Sequence, residues 1–310
     1  MKSFIPTILV AAATAVSAIP IVSPAPTYSY NAGFNMGAQK PDGSCKTTAD
    51  WQADFSTVMA WGPQYRTFKL FATSDCDTLK NAVPAAQNVG AKIWAGVWAV
   101  DANKFTAEKN ALEAAIRAHG SEWLAGINVG SESLYRKEIT GHDLAQQIYD
   151  VKGMVQISLG APSVPVGCAD TWTMWVHPNS TEVREAVDVV LMNGFPYWQG
   201  ATIETANDIF FKSIADTKAA IGGKPFIVGE TGWPTKGDNF VSPDTPGTGP
   251  AVPSIANLQT FWRQAACALQ SQKIPFFFFS TFDEPQRDGD IEQNFGVATS
   301  DKQLKISLQC

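Results

Sequence analysis

The amino-acid sequence lacks any grouping of side chains that would hold a metal ion or a nucleotide cofactor. Its 310 residues include only three histidines, His119, His142 and His177, which are far apart in the chain. None of the five cysteines belongs to a C-x-x-C pair, so a zinc or redox site is not expected. The glycines of segment 31–37 form no G-x-G-x-x-G motif, which gives a dinucleotide-binding fold no support. We therefore expect no metal and no cofactor.

Positive charge is also scarce, because 23 lysine and arginine residues face 29 aspartate and glutamate residues, for a net charge of −6. This balance argues against nucleic acids and anionic membrane surfaces as partners, and it is compatible with a neutral substrate. Aromatic residues, in contrast, are abundant, with 18 Phe, 10 Trp and 6 Tyr. That is more than core packing usually requires, and aromatic rings can stack on sugar rings.

No hydrophobic run long enough to span a bilayer follows the N-terminal segment. Residues 1–18 combine an early Lys2, an apolar run and small residues that end at Ala18. This order is typical of a secretory signal peptide that is cleaved near Ala18. The alternative, a membrane anchor, requires a longer apolar run. We expect residues 19–310 to form one exported, soluble domain, located outside the cell or in the cell wall.

The cysteines of an exported protein are expected to form disulfide bonds, but an odd number leaves at least one cysteine outside a pair. The order of the predicted strands places Cys45 and Cys76 just beyond neighbouring strands, so we expect these two to pair. We expect a second bond between Cys267 and Cys310, which leaves Cys168 over.

Strand and helix patterns alternate along the chain. Apolar runs predict eight strands, at 30–36, 66–72, 92–99, 124–131, 155–161, 187–193, 226–230 and 275–282. Between them, apolar residues at spacings of three, four and seven predict amphipathic helices, as for Leu144, Ile148 and Val151. Continuously apolar strands are expected in a parallel sheet that is covered on both faces. The pattern predicts a single-domain α/β fold, a (β/α)₈ TIM barrel, with a doubly wound open sheet as the alternative.

Two segments are predicted to be exposed loops. Gly237–Pro250 is rich in Gly, Pro, Ser and Asp and follows the seventh predicted strand. It either walls a cleft at the active face of a barrel or is a plain surface insertion. Asn179-Ser180-Thr181 is an N-glycosylation sequon, which predicts a second exposed loop and a glycoprotein.

Two glutamates stand out because each lies at the carboxyl end of a predicted strand or directly after it. Glu230 follows the apolar run 226–229 and precedes a Gly-Trp-Pro turn that stops the strand. A carboxylate beside a buried run needs compensating partners, so Glu230 is either catalytic or half of a structural ion pair. Glu132 directly follows the fourth predicted strand, across a barrel mouth from the seventh, and its alternative is a first-turn glutamate favoured by a helix dipole. Two carboxylates at this end of a barrel suit glycoside hydrolysis.

The blocks around these residues carry a resemblance to a known family. Leu124–Arg136, Val228–Thr235 and Phe282–Pro285 resemble conserved blocks of the family 17 glycoside hydrolases. Phe34–Lys46 and Asn193–Gly200 resemble the fungal cell-wall branch of that family, which contains secreted β-1,3-glucanases and β-1,3-glucanosyltransferases. The resemblance covers nearly all of the chain after the signal peptide.

The resemblance implies a (β/α)₈ barrel and a reaction that retains the anomeric configuration. By matching positions, it implies that Glu230 is the nucleophile and Glu132 is the general acid/base. Two positions depart from the wider pattern. Ser131 stands where many related enzymes carry an asparagine that binds the sugar 2-hydroxyl, although the fungal branch has serine there. Phe71 stands where relatives often have tyrosine.

Several residues near the same strand ends are candidate sugar contacts, each with a structural alternative. Aromatic side chains are predicted to stack on glucose rings, or else to pack at the rim. Glu284 is predicted to position the nucleophile or to bond a sugar hydroxyl, with an ion pair to Arg287 as the alternative. The candidate binding residues are Ser131, Tyr135, Asn193, Tyr197, Trp198, Trp233 and Glu284.

The sequence thus predicts a secreted, retaining glycoside hydrolase that cleaves or transfers β-1,3-glucan chains of the cell wall. The alternative is a non-catalytic glucan-binding wall protein on the same barrel. Only the enzyme requires both Glu132 and Glu230, and both are present. Water as the acceptor would give hydrolysis and a glucan hydroxyl would give transfer, and the sequence leaves this choice open. We expect a monomer whose partner is the polysaccharide.

Overall fold

The computed structural model describes residues 32–243 and 249–310, so the predicted signal peptide lies outside the described residues. Eight parallel strands form a closed barrel in which each strand pairs with its neighbours in sequence and β1 pairs with β8. The strands are β1 Ala32–Met36, β2 Tyr65–Leu70, β3 Lys92–Val97, β4 Leu124–Ser131, β5 Val166–Thr171, β6 Val189–Asn193, β7 Phe226–Thr231 and β8 Phe276–Phe278. The predicted TIM barrel is confirmed.

Helices follow the strands and pack around the barrel. The α-helices are α1 Thr48–Ala60, α2 Thr78–Val89, α3 Ala102–His119, α4 Gly141–Lys152, α5 Trp172–Val176, α6 Thr181–Ala186, α7 Ile203–Ala220, α8 Ile255–Phe261, α9 Cys267–Ser271 and α10 Asp290–Gln293. Two π-helical segments, Gly153–Ser158 and Trp262–Ala266, continue α4 and α8. Within the described residues, no helix combines the length and the hydrophobicity needed to cross a membrane.

The strands are buried on both sides, which explains their continuous apolar sequences. Along β6, Val190 and Met192 belong to the large core between the strands and the helices. Val189 and Leu191 alternate with them and belong to a second cluster, in which every buried member lies on a strand. Because no helix contributes to that cluster, it fills the interior of the barrel.

The helix starts are set by local side-chain caps. Thr47 and Asp50 form a reciprocal capping box at the start of α1, and the carboxylate of Asp101 accepts two backbone N–H groups at the start of α3. Each such cap stabilises its helix by about 1 kcal/mol. The caps therefore fix where the loops after the strands end.

The predicted fifth strand at 155–161 is wrong. There the chain is helical, because α4 runs on into Gly153–Ser158, and β5 is formed instead by Val166–Thr171. The apolar residues Leu144, Ile148, Val151 and Val155 keep a spacing of three or four and are all buried, whereas Ile157 is 82% exposed. The helical period thus extends further than the prediction allowed.

Both predicted disulfide bonds are confirmed. Cys45 pairs with Cys76 and Cys267 pairs with Cys310, while Cys168 is a buried free cysteine in β5. The first bond joins the loop after β1 to the loop after β2, at the carboxyl end of the barrel. Asn179 of the sequon is exposed, and its glycosylation stays a prediction.

The segment after β7 packs against the aromatic residues that follow β6. Phe240 pairs with Ala251 as an isolated antiparallel bridge, and its ring contacts Tyr197 and Trp198. Residues 244–248 lie outside the described residues. No residue in the described part of this segment lines the cleft described below. This part contacts the cleft only indirectly, through the packing of Phe240 against Trp198.

Candidate active site

A cleft of about 810 Å³ opens at the carboxyl ends of the strands. Glu132 and Glu230 both line it, as the alternation of strands and helices predicts for a residue directly after β4 and a residue near the end of β7. Aromatic side chains stand around the two carboxylates: Phe71, Trp98, Phe195, Trp198 and Phe279. A cleft with two carboxylates and several ring faces is suited to a sugar substrate.

Glu230 is held by a lysine that the sequence analysis did not single out. The Nζ of Lys69 donates to Glu230 Oε1 at 2.8 Å and to Asn35 Oδ1 at 3.0 Å. The Lys69 side chain is 0% exposed, whereas that of Glu230 is 10% exposed. Asn35 is itself fixed, since its Nδ2 donates to the backbone carbonyls of Gly229 and Phe277. Glu230 is therefore both half of an ion pair and open to the cleft.

We expect Lys69→Met to lower kcat by about 100-fold, because the carboxylate loses the group that fixes its position. The variant also leaves Glu230 without its cation, which should destabilise the fold by about 3–5 kcal/mol. Initial rates and thermal unfolding measure the two effects separately.

The double variant Lys69→Met, Glu230→Gln is the matched control for this ion pair. It should regain much of the lost stability, since no charge is then left without a partner, and it should stay inactive. A Lys69→Met protein with wild-type kcat would show that Lys69 serves stability alone.

Glu132 occupies a turn directly after β4, with its backbone in the left-handed region at φ 57°. This conformation costs a residue with a side chain about 1 kcal/mol. The helix α4 begins only at Gly141, so the alternative of a first-turn helix residue is wrong. Asn193 Nδ2 donates to Glu132 Oε1 at 3.0 Å, and Arg136 Nη1 lies 3.6 Å from Glu132 Oε2.

The surroundings of Glu132 favour its protonated form. Burial raises the pKa of Glu132 to about 7, and the negative charges of Glu230 and Asp170 act in the same direction. The hydrogen bond from Asn193 and the charge of Arg136 act against that rise in pKa. Glu132 can thus hold a proton near neutral pH, while Glu230 lies beside a buried cation. Two carboxylates with such different surroundings can serve as acid and nucleophile.

Two other predicted residues, Ser131 and Glu284, line the cleft, and a third, Asn193, lies behind Glu132 without lining it. The carbonyl of Ser131 accepts a hydrogen bond from Arg136. Asn193 is 2% exposed and bonds Glu132, so its contact in this structure is with the acid/base candidate. Glu284 lines the cleft and forms the ion pair with Arg287, at 3.3 Å, that was the structural alternative to its predicted role. Burial raises the pKa of Glu284.

Of the aromatic residues predicted to stack on a sugar, only Trp198 lines the cleft. Trp198 is half-buried and lines the cleft, so it stays a candidate for stacking. Tyr197 and Trp233 are 0% exposed, and their polar atoms already donate to the carbonyls of Asp238 and Val252. The prediction that these two rings stack on a sugar is wrong, because packing covers both faces. Tyr135 is 57% exposed and does not line the cleft, so its predicted contact is not supported.

The sequence analysis did not predict Trp98 as a sugar contact, and it did not predict Asp170 or Lys69 as residues that hold the two glutamates in place. Trp98 lines the cleft, and the guanidinium of Arg136 lies 5.1 Å from the centre of its ring. Asp170 is 1% exposed at the end of β5, and it was missed because that strand was placed in the wrong segment. For Lys69, a signal was present, since a lysine inside an apolar strand needs a buried partner.

Comparisons with known proteins agree with this geometry. A family model described as the BtgE/BtgC glycoside hydrolase domain matches residues 33–296. A glucan 1,3-beta-glucosidase of Saccharomyces cerevisiae is 36% identical over 293 residues, which cover 89% of this chain and 90% of the yeast protein. One of Schizosaccharomyces pombe is 37% identical over 290 residues, covering 89% of this chain and 86% of that protein.

Solved structures give a similar result. The Rhizomucor miehei beta-1,3-glucanosyltransferase, solved as an active-site mutant in complex with laminaritriose, superimposes with a TM-score of 0.78 at 31% identity. The match covers 91% of this chain and 98% of that one.

Proposed function

This chain belongs to the BtgE/BtgC glycoside hydrolase family, and we propose that it cleaves and transfers β-1,3-glucan chains by double displacement. The resemblance to the family 17 glycoside hydrolases is thereby confirmed for the chain as a whole, and the protein is a glycoside hydrolase. The observation that carries the proposal is that Glu132 and Glu230 share one cleft in contrasting surroundings.

The substrate class follows from the relatives and from the cleft. The yeast relatives act as glucan 1,3-beta-glucosidases by name, and the Rhizomucor miehei structure holds laminaritriose. The cleft offers this neutral polymer half-buried ring faces at Trp98 and Trp198. The hydrophobic faces of glucose can stack on such rings, while the glucose hydroxyl groups donate hydrogen bonds to the neighbouring carboxylates.

The reaction has two displacements in our proposal. A carboxylate oxygen of Glu230 attacks the anomeric carbon, and the glycosidic bond breaks as Glu132 gives its proton to the leaving oxygen. This yields a free glucan end and a glycosyl ester on Glu230. An acceptor hydroxyl then loses its proton to Glu132 and attacks the anomeric carbon, which frees Glu230. Water as the acceptor completes hydrolysis, and a glucan hydroxyl completes transfer.

Action outside the cell is part of the proposal. Residues 1–18 have the order of a signal peptide, and two disulfide bonds are present. Disulfide bonds persist in oxidising compartments such as the cell exterior. Outside the cell, the enzyme would have access to the β-1,3-glucan of the cell wall.

The test is incubation with reduced laminaripentaose and sizing of the products over time. We expect products longer than the donor at high donor concentration and shorter products as the donor is diluted, since water at ~55 M competes for the intermediate. Reduced cellopentaose, with the same length and β-1,4 bonds, is the control and should be turned over far more slowly. Binding of laminaripentaose without any turnover would support the non-catalytic wall protein instead.

A further inference from the structure

We propose that Asp170 is a positioning residue for Glu132: its carboxylate holds the turn that aims the acid/base into the cleft. The proposal rests on the proposed function, since that function gives Glu132 its role. Asp170 does not line the cleft, so it would act on Glu132 through the backbone of the turn and through its charge, without touching the substrate.

The carboxylate of Asp170 binds the turn at several points. Its Oδ2 accepts the backbone N–H of Leu134 at 3.1 Å, and the backbone N–H of Tyr135 donates to the same carboxylate. The Oδ1 accepts the backbone N–H of Thr171 at 2.8 Å, which orients the side chain. The preceding residue contributes as well, because the carbonyl of Ala169 accepts the backbone N–H of Glu132 at 2.8 Å. The end of β5 thus forms a template for the turn after β4.

Glu132 needs such a template because its own backbone is strained. Its φ of 57° is a conformation that residues other than glycine adopt rarely. The turn also closes on itself, since the backbone N–H of Arg136 donates to the carbonyl of Glu132 at 2.9 Å. Such strain persists where the surroundings over-determine it, and the bonds to Asp170 and Ala169 tie the backbone of the turn to the end of β5.

A purely structural reason for a carboxylate at this position is weak. Asp170 is 1% exposed, and within the described residues no lysine or arginine forms an ion pair with it. A buried carboxylate without a paired cation is costly. The N–H donors of the turn are what compensates that cost, so the residue and the turn depend on each other.

Charge adds a second effect that a neutral acceptor would not have. The charged groups that face Glu132 are Glu230 from β7, Asp170 from β5 and Arg136 from its own turn, beside the neutral amide of Asn193. Burial raises the pKa of Asp170 to about 6, against the lowering effect of its backbone donors and of Arg136. Above that pH its negative charge helps to keep Glu132 protonated, so its loss should lower the pKa of Glu132.

The test is Asp170→Asn, which keeps the shape and removes the charge and one acceptor. We expect kcat on reduced laminaripentaose to fall about 10- to 100-fold with KM within about threefold, since positioning is lost and substrate contacts remain. The fall of kcat/KM at high pH should begin at a lower pH than in the wild type. Wild-type kcat together with an unmoved high-pH limb would overturn the proposal.

The matched control is Asp188→Asn, at the opposite end of the barrel. Asp188 accepts the backbone N–H of Val166 at 3.0 Å and an ammonium from Lys152 at 2.6 Å. This variant should lose stability without any change in the high-pH limb. If Asp170→Asn moves kcat and the pH limb no more than Asp188→Asn does, the role of Asp170 is structural and the proposal fails.

A measurement on the free protein separates this proposal from the proposed function. Carbon NMR of ¹³C-glutamate-labelled protein, with Glu132 assigned through Glu132→Gln, reports the Glu132 titration without any substrate. An unchanged titration in Asp170→Asn overturns the inference about Asp170, whereas a wild type without turnover overturns the proposed function. Should Asp170→Asn fail to fold, Asp170→Ser, which keeps an acceptor without the charge, takes its place with the same expected shift.

Discussion

Replacing Glu230 by glutamine is expected to abolish turnover of laminari-oligosaccharides, with a loss of at least about 10⁴-fold in kcat. The amide has nearly the shape of the carboxylate but cannot form the glycosyl ester. Since we expect the rest of the cleft to make most of the sugar contacts, affinity for laminaritriose should stay within about threefold of wild type. Rates of product release and calorimetric binding measure the two quantities.

The comparison variant for this substitution is Glu113→Gln on α3. Glu113 also pairs with a basic side chain, since Arg117 donates to its Oε1 at 2.6 Å, but it lies on the outer surface. The same chemical change there should leave kcat and binding unchanged. Glu230→Gln with more than about a tenth of wild-type activity would contradict the assignment of the nucleophile, whatever its effect on stability.

The barrel could be predicted from the sequence because burial on both faces leaves a simple signature. Strands such as β6 and β8 are apolar at consecutive positions, and the helices between them keep a period of three to four. The exception is instructive, since the apolar period of α4 continues to Val155 and thereby hid the true β5. Because β5 was placed in the wrong segment, Asp170 was not recognised as a residue at a strand end.

The two carboxylates could also be predicted, since their position at strand ends follows from the chain order alone. The chain order does not show, however, whether an aromatic side chain that follows a strand points into the cleft or into the core. Trp198 and Trp233 both come after strand ends, yet only Trp198 reaches the cleft. The difference arises from tertiary packing, because Phe261 and Tyr197 cover Trp233.

For Lys69, the sequence indicates that a buried charge needs a partner but does not identify that partner. Its place within β2 indicates a buried charge in need of an anion, but the partner is 161 residues away in the chain. Only the closure of the barrel brings Lys69, Asn35 and Glu230 together. The contrast between the surroundings of the two glutamates, on which the proposed mechanism depends, is therefore a property of the fold rather than of either motif.

Glu132→Ala is expected to slow cleavage of laminari-oligosaccharides by about 10²- to 10⁴-fold, the usual contribution of a general acid. An aryl β-laminaribioside, whose leaving group departs without a proton, should still glycosylate Glu230 and then stall, because no base remains to activate water. Azide needs no base and can enter the space that the side chain leaves beside Asn193. Its addition should therefore accelerate turnover and yield the β-glycosyl azide, which proton NMR identifies.

Glu230→Ala with the same donor and azide is the mirror experiment. Azide would then attack the anomeric carbon directly from the side that Glu230 has vacated, which gives the α-glycosyl azide in one displacement. Opposite anomers from the two variants require that the two carboxylates act on opposite faces of the sugar, one as nucleophile and one as acid/base. The same anomer from both, or no acceleration of Glu132→Ala by azide, would be incompatible with double displacement through Glu230.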